Sequence, residues 1–193
     1  MRAEIKVSGI VQGVGFRPFV YRTALENRLT GYVRNRGDAF VEIVVEGKDA
    51  DVKAFLKDLK TKKPPLARIH DVKTKLMERK NEFDRFSILK SSGEAAFSGS
   101  VIPPDVSICD LCLRELRDPR DRRHDYFFIT CTDCGPRYTI IEDLPYDRPN
   151  TTMRQFKMCP FCHREYRTPA NRRFHAQTVA CPVCGPKASL ANR

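Results

Sequence analysis

The chain has no tryptophan, and it has no cysteine before residue 109. No apolar run approaches the ~18 residues that a bilayer-crossing helix needs, so no such span is expected. The segment Met1-Arg2-Ala3-Glu4-Ile5-Lys6-Val7-Ser8 alternates charged with apolar residues. It therefore lacks the continuous apolar core, ~7–15 residues long, of a secretory signal, and a cytoplasmic location is expected. Nor is there a dense Lys/Arg stripe with interleaved aromatics, the footprint of a nucleic-acid binder. With 41% hydrophobic and 31% charged residues the composition is neither disordered nor collagenous, and 193 residues make one to two domains.

The cysteines that are present divide the chain. All eight lie between Cys109 and Cys184, as the C-x-x-C pairs Cys109/Cys112, Cys131/Cys134, Cys159/Cys162 and Cys181/Cys184. Eighteen residues separate the first two pairs and eighteen the last two. Read at an offset of 50 the segment repeats: Arg114-Glu115 answers Arg164-Glu165, Arg122-Arg123 answers Arg172-Arg173, and Cys134-Gly135-Pro136 answers Cys184-Gly185-Pro186. A unit of about 26 residues cannot bury a self-sufficient core. Two C-x-x-C pairs make a tetrahedral S4 site, and this spacing falls within the zinc pattern. Two structural zinc ions are therefore expected. Spacing does not separate pairing of the four doublets in sequence from pairing of outer with outer and inner with inner, though the offset-50 repeat favours two equivalent local sites. His124, His163 and His175 read as surface or packing residues, because four thiolates already saturate each ion. A disulfide framework is disfavoured by the missing secretory signal.

The net charge of +11 belongs mostly to the first half: residues 1–91 carry 20 Lys and Arg against 12 Asp and Glu, residues 92–193 carry 15 against 12. Two zinc-tetrathiolate sites would bring the second half to about −1. The excess would attract a small anion as readily as a nucleic acid.

Residues 1–91 read as an α+β domain. Ile5, Val7 and Ile10 mark a first strand; Phe19, Val20, Ala24 and Leu25 recur at helical spacing up to Arg28. Thr30–Arg34 and Phe40–Val45 are β-rich around a turn at Arg36-Gly37-Asp38-Ala39. Asp49 is placed to cap a second helix carrying Val52, Phe55, Leu56 and Leu59, with Pro64-Pro65 beyond its end. Ala67–Leu76 and Phe83–Leu89 supply the last strands. Two helices over one sheet is the ferredoxin-like βαββαβ plan. A small, polar linker covers 92–108, and the duplicated zinc module, with units 109–134 and 159–184, fills 109–193.

The loop after the first strand, Gln12-Gly13-Val14-Gly15-Phe16-Arg17, has the makings of an anion site. Glycines let successive N–H groups converge, the following helix adds its positive end, and Arg17 offers a planar fork to phosphate or carboxylate. No Lys-Ser/Thr follows the glycines, which excludes a Walker A loop. An ordinary strand–helix turn has the same appearance.

Gly9-Ile10-Val11-Gln12-Gly13-Val14-Gly15-Phe16-Arg17, followed by Gly31-Tyr32-Val33-Arg34-Asn35 and Val41-Glu42-Ile43-Val44-Val45-Glu46-Gly47, resembles the acylphosphatases over about residues 3–90. The resemblance implies that the loop holds a phosphoryl group, that Arg17 binds it, and that Asn35 positions the attacking water; a turn residue before Arg36-Gly37 is the alternative for Asn35. Such a domain followed by paired C-x2-C-x18-C-x2-C units resembles the N-terminal portion of the HypF carbamoyltransferase family of nickel–iron hydrogenase maturation. Members of that family continue into nucleotide-binding and transfer domains, where carbamoyl phosphate and ATP form carbamoyl adenylate and the carbamoyl group passes to HypE. The resemblance thus implies that this chain is a fragment that hydrolyses carbamoyl phosphate or another acyl phosphate, that ATP belongs to the absent domains, and that HypE is the acceptor of the intact protein. A zinc-held docking or spacer module joined to a non-catalytic anion-binding domain is the alternative reading.

Overall fold

The computed structural model describes residues 1–36, 40–91, 105–143 and 146–190. Positions 37–39 of the expected turn and most of the expected linker lie outside them. The chain divides into two compact units, Met1–Pro103 and Pro104–Arg193.

The first unit runs β1 (Arg2–Ile10), α1 (Phe16–Glu26), β2 (Thr30–Asn35), β3 (Phe40–Glu46), α2 (Asp49–Thr61), β4 (Arg68–Met77) and β5 (Phe86–Ile88). The sheet order is β4-β1-β3-β2-β5. β1 pairs antiparallel with β3 and β4, and β2 antiparallel with β3. The short β5 adds parallel to β2, so the sheet is mixed. Alternation does the sorting: Ala3, Ile5 and Val7 of β1, Val33 of β2 and Val41, Ile43 and Val45 of β3 are buried in one core with Val20 and Ala24 of α1 and Val52, Phe55 and Leu59 of α2. The edge strand β4 is largely exposed and carries Lys73 and Lys75, charges that discourage pairing with another chain.

Three boundaries differ from the sequence expectation. α1 starts at Phe16 with Arg17 and Pro18 in its first turn, where the missing N–H of Pro18 has no intrahelical acceptor to lose, but it ends at Glu26, two residues short of Arg28. The helix ends in a Schellman turn: Leu29 N–H reaches the Ala24 carbonyl at 2.9 Å, Arg28 N–H reaches Leu25 at 3.0 Å, and Arg28 takes a left-handed φ of 53°. Asp49 does not cap α2. Lys48 holds the cap position without a side-chain bond, and the Asp49 carboxylate lies in the first turn, 3.1 Å from the amino terminus of Met1. Both the helix end and the terminal ammonium attract it there. β5 is shorter than Phe83–Leu89, although Leu89 N–H still bonds Val33 carbonyl at 3.0 Å.

The second unit has no extended sheet among its described residues. Its helices α3 (Asp110–Arg117) and α4 (Pro160–Arg167) each start directly after the first cysteine of a repeat. The backbone repeats at the offset read from the sequence. Asp118 bonds Arg114 as Thr168 bonds Arg164, Asp125 bonds Leu116 as His175 bonds Tyr166, and Asp125 and His175 share a positive φ of 54° and 55°. The buried clusters are small and sulfur-rich. One gathers Cys112, Cys131 and Cys134 with Tyr126, Ile129, Ile140 and Met153; the other gathers Cys162 and Cys181 with Ala176 and Val179. Between the repeats, Arg148 donates to the carbonyls of Gln177 (2.7 Å), Val179 (3.0 Å) and Phe156 (2.8 Å), fastening the connecting segment to the second repeat. Ile108, assigned by sequence to the linker, packs against the first of these clusters.

The tightest steric constraint of the sheet is at Gly31, whose φ is 135° and where a Cβ would lie 2.0 Å from the Val44 carbonyl oxygen of the paired strand. Gly47 has no such backbone conflict; a Cβ there meets the Leu29 side chain, at 2.4 Å. Gly31→Ala should therefore destabilise the first unit by about 3 kcal/mol and Gly47→Ala by about 1 kcal/mol, read as shifts of the urea midpoint.

Candidate active site and zinc centres

β1 and β2 both run antiparallel to β3, so they point the same way and their C-terminal ends emerge at one end of the sheet. The loop 11–15 leaves β1 there, and Asn35 closes β2 there. Val7 and Asn35 both pair with Val41, which places them in one row, about 10 Å apart across β3.

Gly13 and Gly15 have φ of 72° and 74°, and Gly15 occupies the N-cap of α1 in a left-handed conformation without a side-chain cap. The N–H groups of Gly13 to Phe16 donate to no backbone carbonyl of the described residues. No acidic residue stands in the first turn of α1 to compete for its positive end. Val11, Val14 and Phe16 are buried and anchor the loop from beneath. Gln12 and Arg17 are also buried, Arg17 with 8% of its surface exposed.

Asn35 is a strand residue, the last of β2, and not part of the turn. The alternation that buries Gly31 and Val33 turns its side chain to the helix-covered face, where it has 0% exposure. Neither its amide nitrogen nor its amide oxygen has a hydrogen-bond partner among the described residues. A buried, unsatisfied amide costs on the order of 1–3 kcal/mol, which is tolerated where a ligand or water completes it.

The eight cysteines fall into two sets in sequential order: Cys109, Cys112, Cys131 and Cys134, and Cys159, Cys162, Cys181 and Cys184, with each set's sulfurs within 4.8 Å of one another. Resolved Sγ–Sγ separations are 3.7 Å (Cys109–Cys131), 3.8 Å (Cys131–Cys134), 3.4 Å (Cys112–Cys134), 3.8 Å (Cys159–Cys181) and 3.7 Å (Cys181–Cys184). A tetrahedron with Zn–S of about 2.3 Å has edges of about 3.8 Å, so the donor set fits zinc. The thiols cannot share ionisation on their own. Burial opposes ionisation of Cys159, but the Cys162 backbone N–H and the neighbouring sulfurs bring it down to about 6, whereas burial and those sulfurs hold Cys162 above the ordinary thiol range. A divalent cation removes that conflict by stabilising all four thiolates. Four protein sulfurs leave no open position for water, so the ions are structural. His124 lies 3.6 Å from Asp125, and His175 stacks on Tyr166 at 4.9 Å; neither belongs to a sulfur set.

Sequence reasoning missed the arginines around the sulfurs. Arg122 Nη2 donates to Cys181 (3.0 Å), Cys159 (3.4 Å) and Cys162 (3.4 Å), and Arg172 donates to Cys112 (3.2 and 3.3 Å) and Cys109 (3.7 Å). Their neighbours Arg123 and Arg173, both 2% exposed, form forked ion pairs with Glu165 and Glu115. Burial pushes the Glu165 carboxyl up, but Arg123, with Arg173 and Arg122 behind it, holds it below the ordinary carboxylate range; Arg173 and Arg172 do the same for Glu115. The offset-50 doublets were the available signal, but spacing carries no information about which repeat each arginine serves.

Residues 3–88 match the family model described as Acylphosphatase. An acylphosphatase of Bacillus licheniformis is 43% identical over 88 residues, 46% of this chain and 97% of that protein. Through its first unit the chain belongs to the acylphosphatase family. Residues 108–141 and 158–191 each match the model described as HypF finger. The "Probable carbamoyltransferase HypF" of Methanocaldococcus jannaschii is 55% identical over 150 residues, covering 78% of this chain and 20% of that protein. A crystal structure of full-length HypF in the phosphate- and nucleotide-bound form superposes with a TM-score of 0.87 at 48% identity, over 96% of this chain and 24% of that one. The combination of an acylphosphatase domain with two HypF fingers is that of the N-terminal part of the HypF carbamoyltransferases. The chain spans about a fifth of the length of these relatives. No helix among the described residues is long and apolar enough to cross a membrane.

Protein purified without chelator should contain about two zinc ions per chain. Stripping them should abolish the far-UV signal of α3 and α4 and expose all eight cysteines to alkylation, because the sulfur-rich clusters have little else to order them. A zinc content near zero would end the structural-zinc assignment.

Proposed function

We propose that the first unit hydrolyses carbamoyl phosphate, or acyl phosphates of the same form, to inorganic phosphate and a carbamate or carboxylate. In this reading the N–H groups of the loop 12–16 and the positive end of α1 hold the phosphoryl oxygens, and Arg17 adds a forked cation. The observation that carries the proposal is Asn35: a fully buried amide with no hydrogen-bond partner among the described residues, at the sheet end where the glycine loop emerges. Its oxygen can accept a hydrogen bond from the attacking water, and its nitrogen can donate one to a phosphoryl oxygen.

Water attacks phosphorus in line. The phosphorus–oxygen bond to the carbamate breaks, its electron pair leaves with the carbamate oxygen, and both protons of the water remain on the phosphate, which is released as dihydrogen phosphate. The leaving group is a stable anion, so no strong general base is required and positioning with charge stabilisation supplies the rate. Catalysis in this proposal therefore rests on donors and one cation. In the longer carbamoyltransferase this step would precede carbamoyl-adenylate formation from ATP and transfer to HypE. Support for that context is the relatives' description as carbamoyltransferases and the phosphate and nucleotide bound in the full-length HypF structure.

Arg17→Ala should lower hydrolysis of carbamoyl phosphate at least ~10²-fold, because it removes the charged donor at the developing phosphoryl charge. Asn35→Ala should lower kcat while inorganic phosphate competes at a similar concentration. Phosphate release above the spontaneous rate by the unaltered chain is the first measurement. Its absence, with phosphate binding retained, would leave an anion-binding domain beside a zinc-held docking module.

A further inference from the structure

The two zinc sites are fastened to each other by exchanged side chains. Arg122 belongs to the first repeat, yet its sulfur contacts are Cys159, Cys162 and Cys181 of the second. Arg172 belongs to the second, yet it bonds Cys109 and Cys112 of the first. The supports are exchanged too. Arg122 lies over the Phe161 ring at 5.2 Å and 3.5 Å from Glu165, whereas Arg172 is held by Glu115 at 2.8 and 3.2 Å. Arg123 reaches across to Glu165 and to the Ala180 carbonyl (2.8 Å), and Arg173 reaches back to Glu115 and to the Thr130 carbonyl (2.9 Å). A further crossing contact is at Gly185, where a Cβ would lie 2.1 Å from the Tyr126 hydroxyl, so the second repeat's last knuckle closes around a side chain of the first.

A zinc ion with four thiolates carries a net charge of −2. Each such charge here faces a guanidinium that its own repeat does not provide. Groups that hydrogen-bond metal ligands orient them and tune their affinity, and their removal typically costs 10–100-fold in metal binding. The loop that presents each arginine is ordered by its own repeat, and that repeat is ordered by its own metal. Binding at one site thus sets in place the cap of the other.

We propose that Arg122 and Arg172 are exchanged caps that make the two zinc sites one cooperatively loaded unit, each arginine acting as a positioning residue for the site of the opposite repeat. This rests on the structural-zinc assignment and is independent of any hydrolytic activity.

The test uses the full chain and needs no assay of catalysis. In the unaltered protein, zinc is withdrawn with a graded chelator and the species with two, one and no ions are counted by native mass spectrometry. Independent equal sites would leave about half of the molecules with one ion at half-loading; coupling predicts far fewer. Arg122→Gln should speed zinc loss at least ~10-fold, and pulse alkylation should label Cys159, Cys162, Cys181 and Cys184 before the cysteines of the repeat that carries the substitution. Arg172→Gln should give the mirror result at Cys109, Cys112, Cys131 and Cys134. Arg122→Lys, which keeps the charge but not the fork to three sulfurs, should fall between. A one-ion population near half, or labelling that begins in the mutated repeat itself, would overturn the proposal. The first readout stands even where a variant fails to fold.

Discussion

Four thiolates share a space less than 5 Å across only when a cation neutralises them, and the second unit is organised by that requirement. Its buried clusters consist largely of the cysteines themselves with a few aliphatic and aromatic neighbours. Helices α3 and α4 have eight residues each, well short of the ~12–15 at which an isolated helix becomes even marginal in water. Each begins at a ligand, so metal coordination supplies the fixed point that helix nucleation otherwise lacks. The remaining polar groups follow from the same charge: guanidiniums collect around the sulfurs, and carboxylates collect around the guanidiniums.

The first unit is stabilised by different means. Among the described residues, nineteen buried apolar side chains from the strands, both helices and their connecting loops form one continuous core, so ordinary apolar burial suffices. The features at the sheet end that carries the glycine loop are individually unfavourable for folding: glycines at positive φ, a helix start with no side-chain cap, a buried arginine, and the Asn35 amide, buried with no hydrogen-bond partner among the described residues. Local rules broken together at one end of a well-packed sheet support the proposed phosphoryl site more firmly than any one of them would.

Much of this was legible in the sequence. Ile5 and Val7 and the β-rich run Phe40–Val45 assign core strands, and helical spacing assigns Val52, Phe55 and Leu59. Boundaries were less legible, since Asp49 reads as a cap although its carboxylate lies in the first turn beside the amino terminus of Met1, and α1 stops at Glu26, two residues before Arg28. Asn35 has turn-like propensity, but the ladder to Val41 outweighs it. The spacing of four equal doublets leaves the sulfur pairing degenerate, and only the offset-50 repeat favoured the sequential sets that the structure shows; the exchanged arginines were not legible. Arg122, Arg123, Arg172 and Arg173 were visible only as marks of duplication; their partners lie about forty to sixty residues away, and no local pattern encodes a contact of that kind.

The exchanged ion pairs bear on how the duplication can evolve. In a tandem repeat whose side chains stay within their own copy, one copy can drift, degenerate or be deleted while the other survives. Here Arg123 depends on Glu165 and Arg173 on Glu115, so a change at one position must be compensated in the other copy and not beside it. Such reciprocity, in which a residue of one half contacts a residue of the other and the converse holds, is the signature of a two-fold interface, present here within a single polypeptide. The duplication is thereby ratcheted: deleting either copy strands the charges of the survivor, and the pair is inherited as one module.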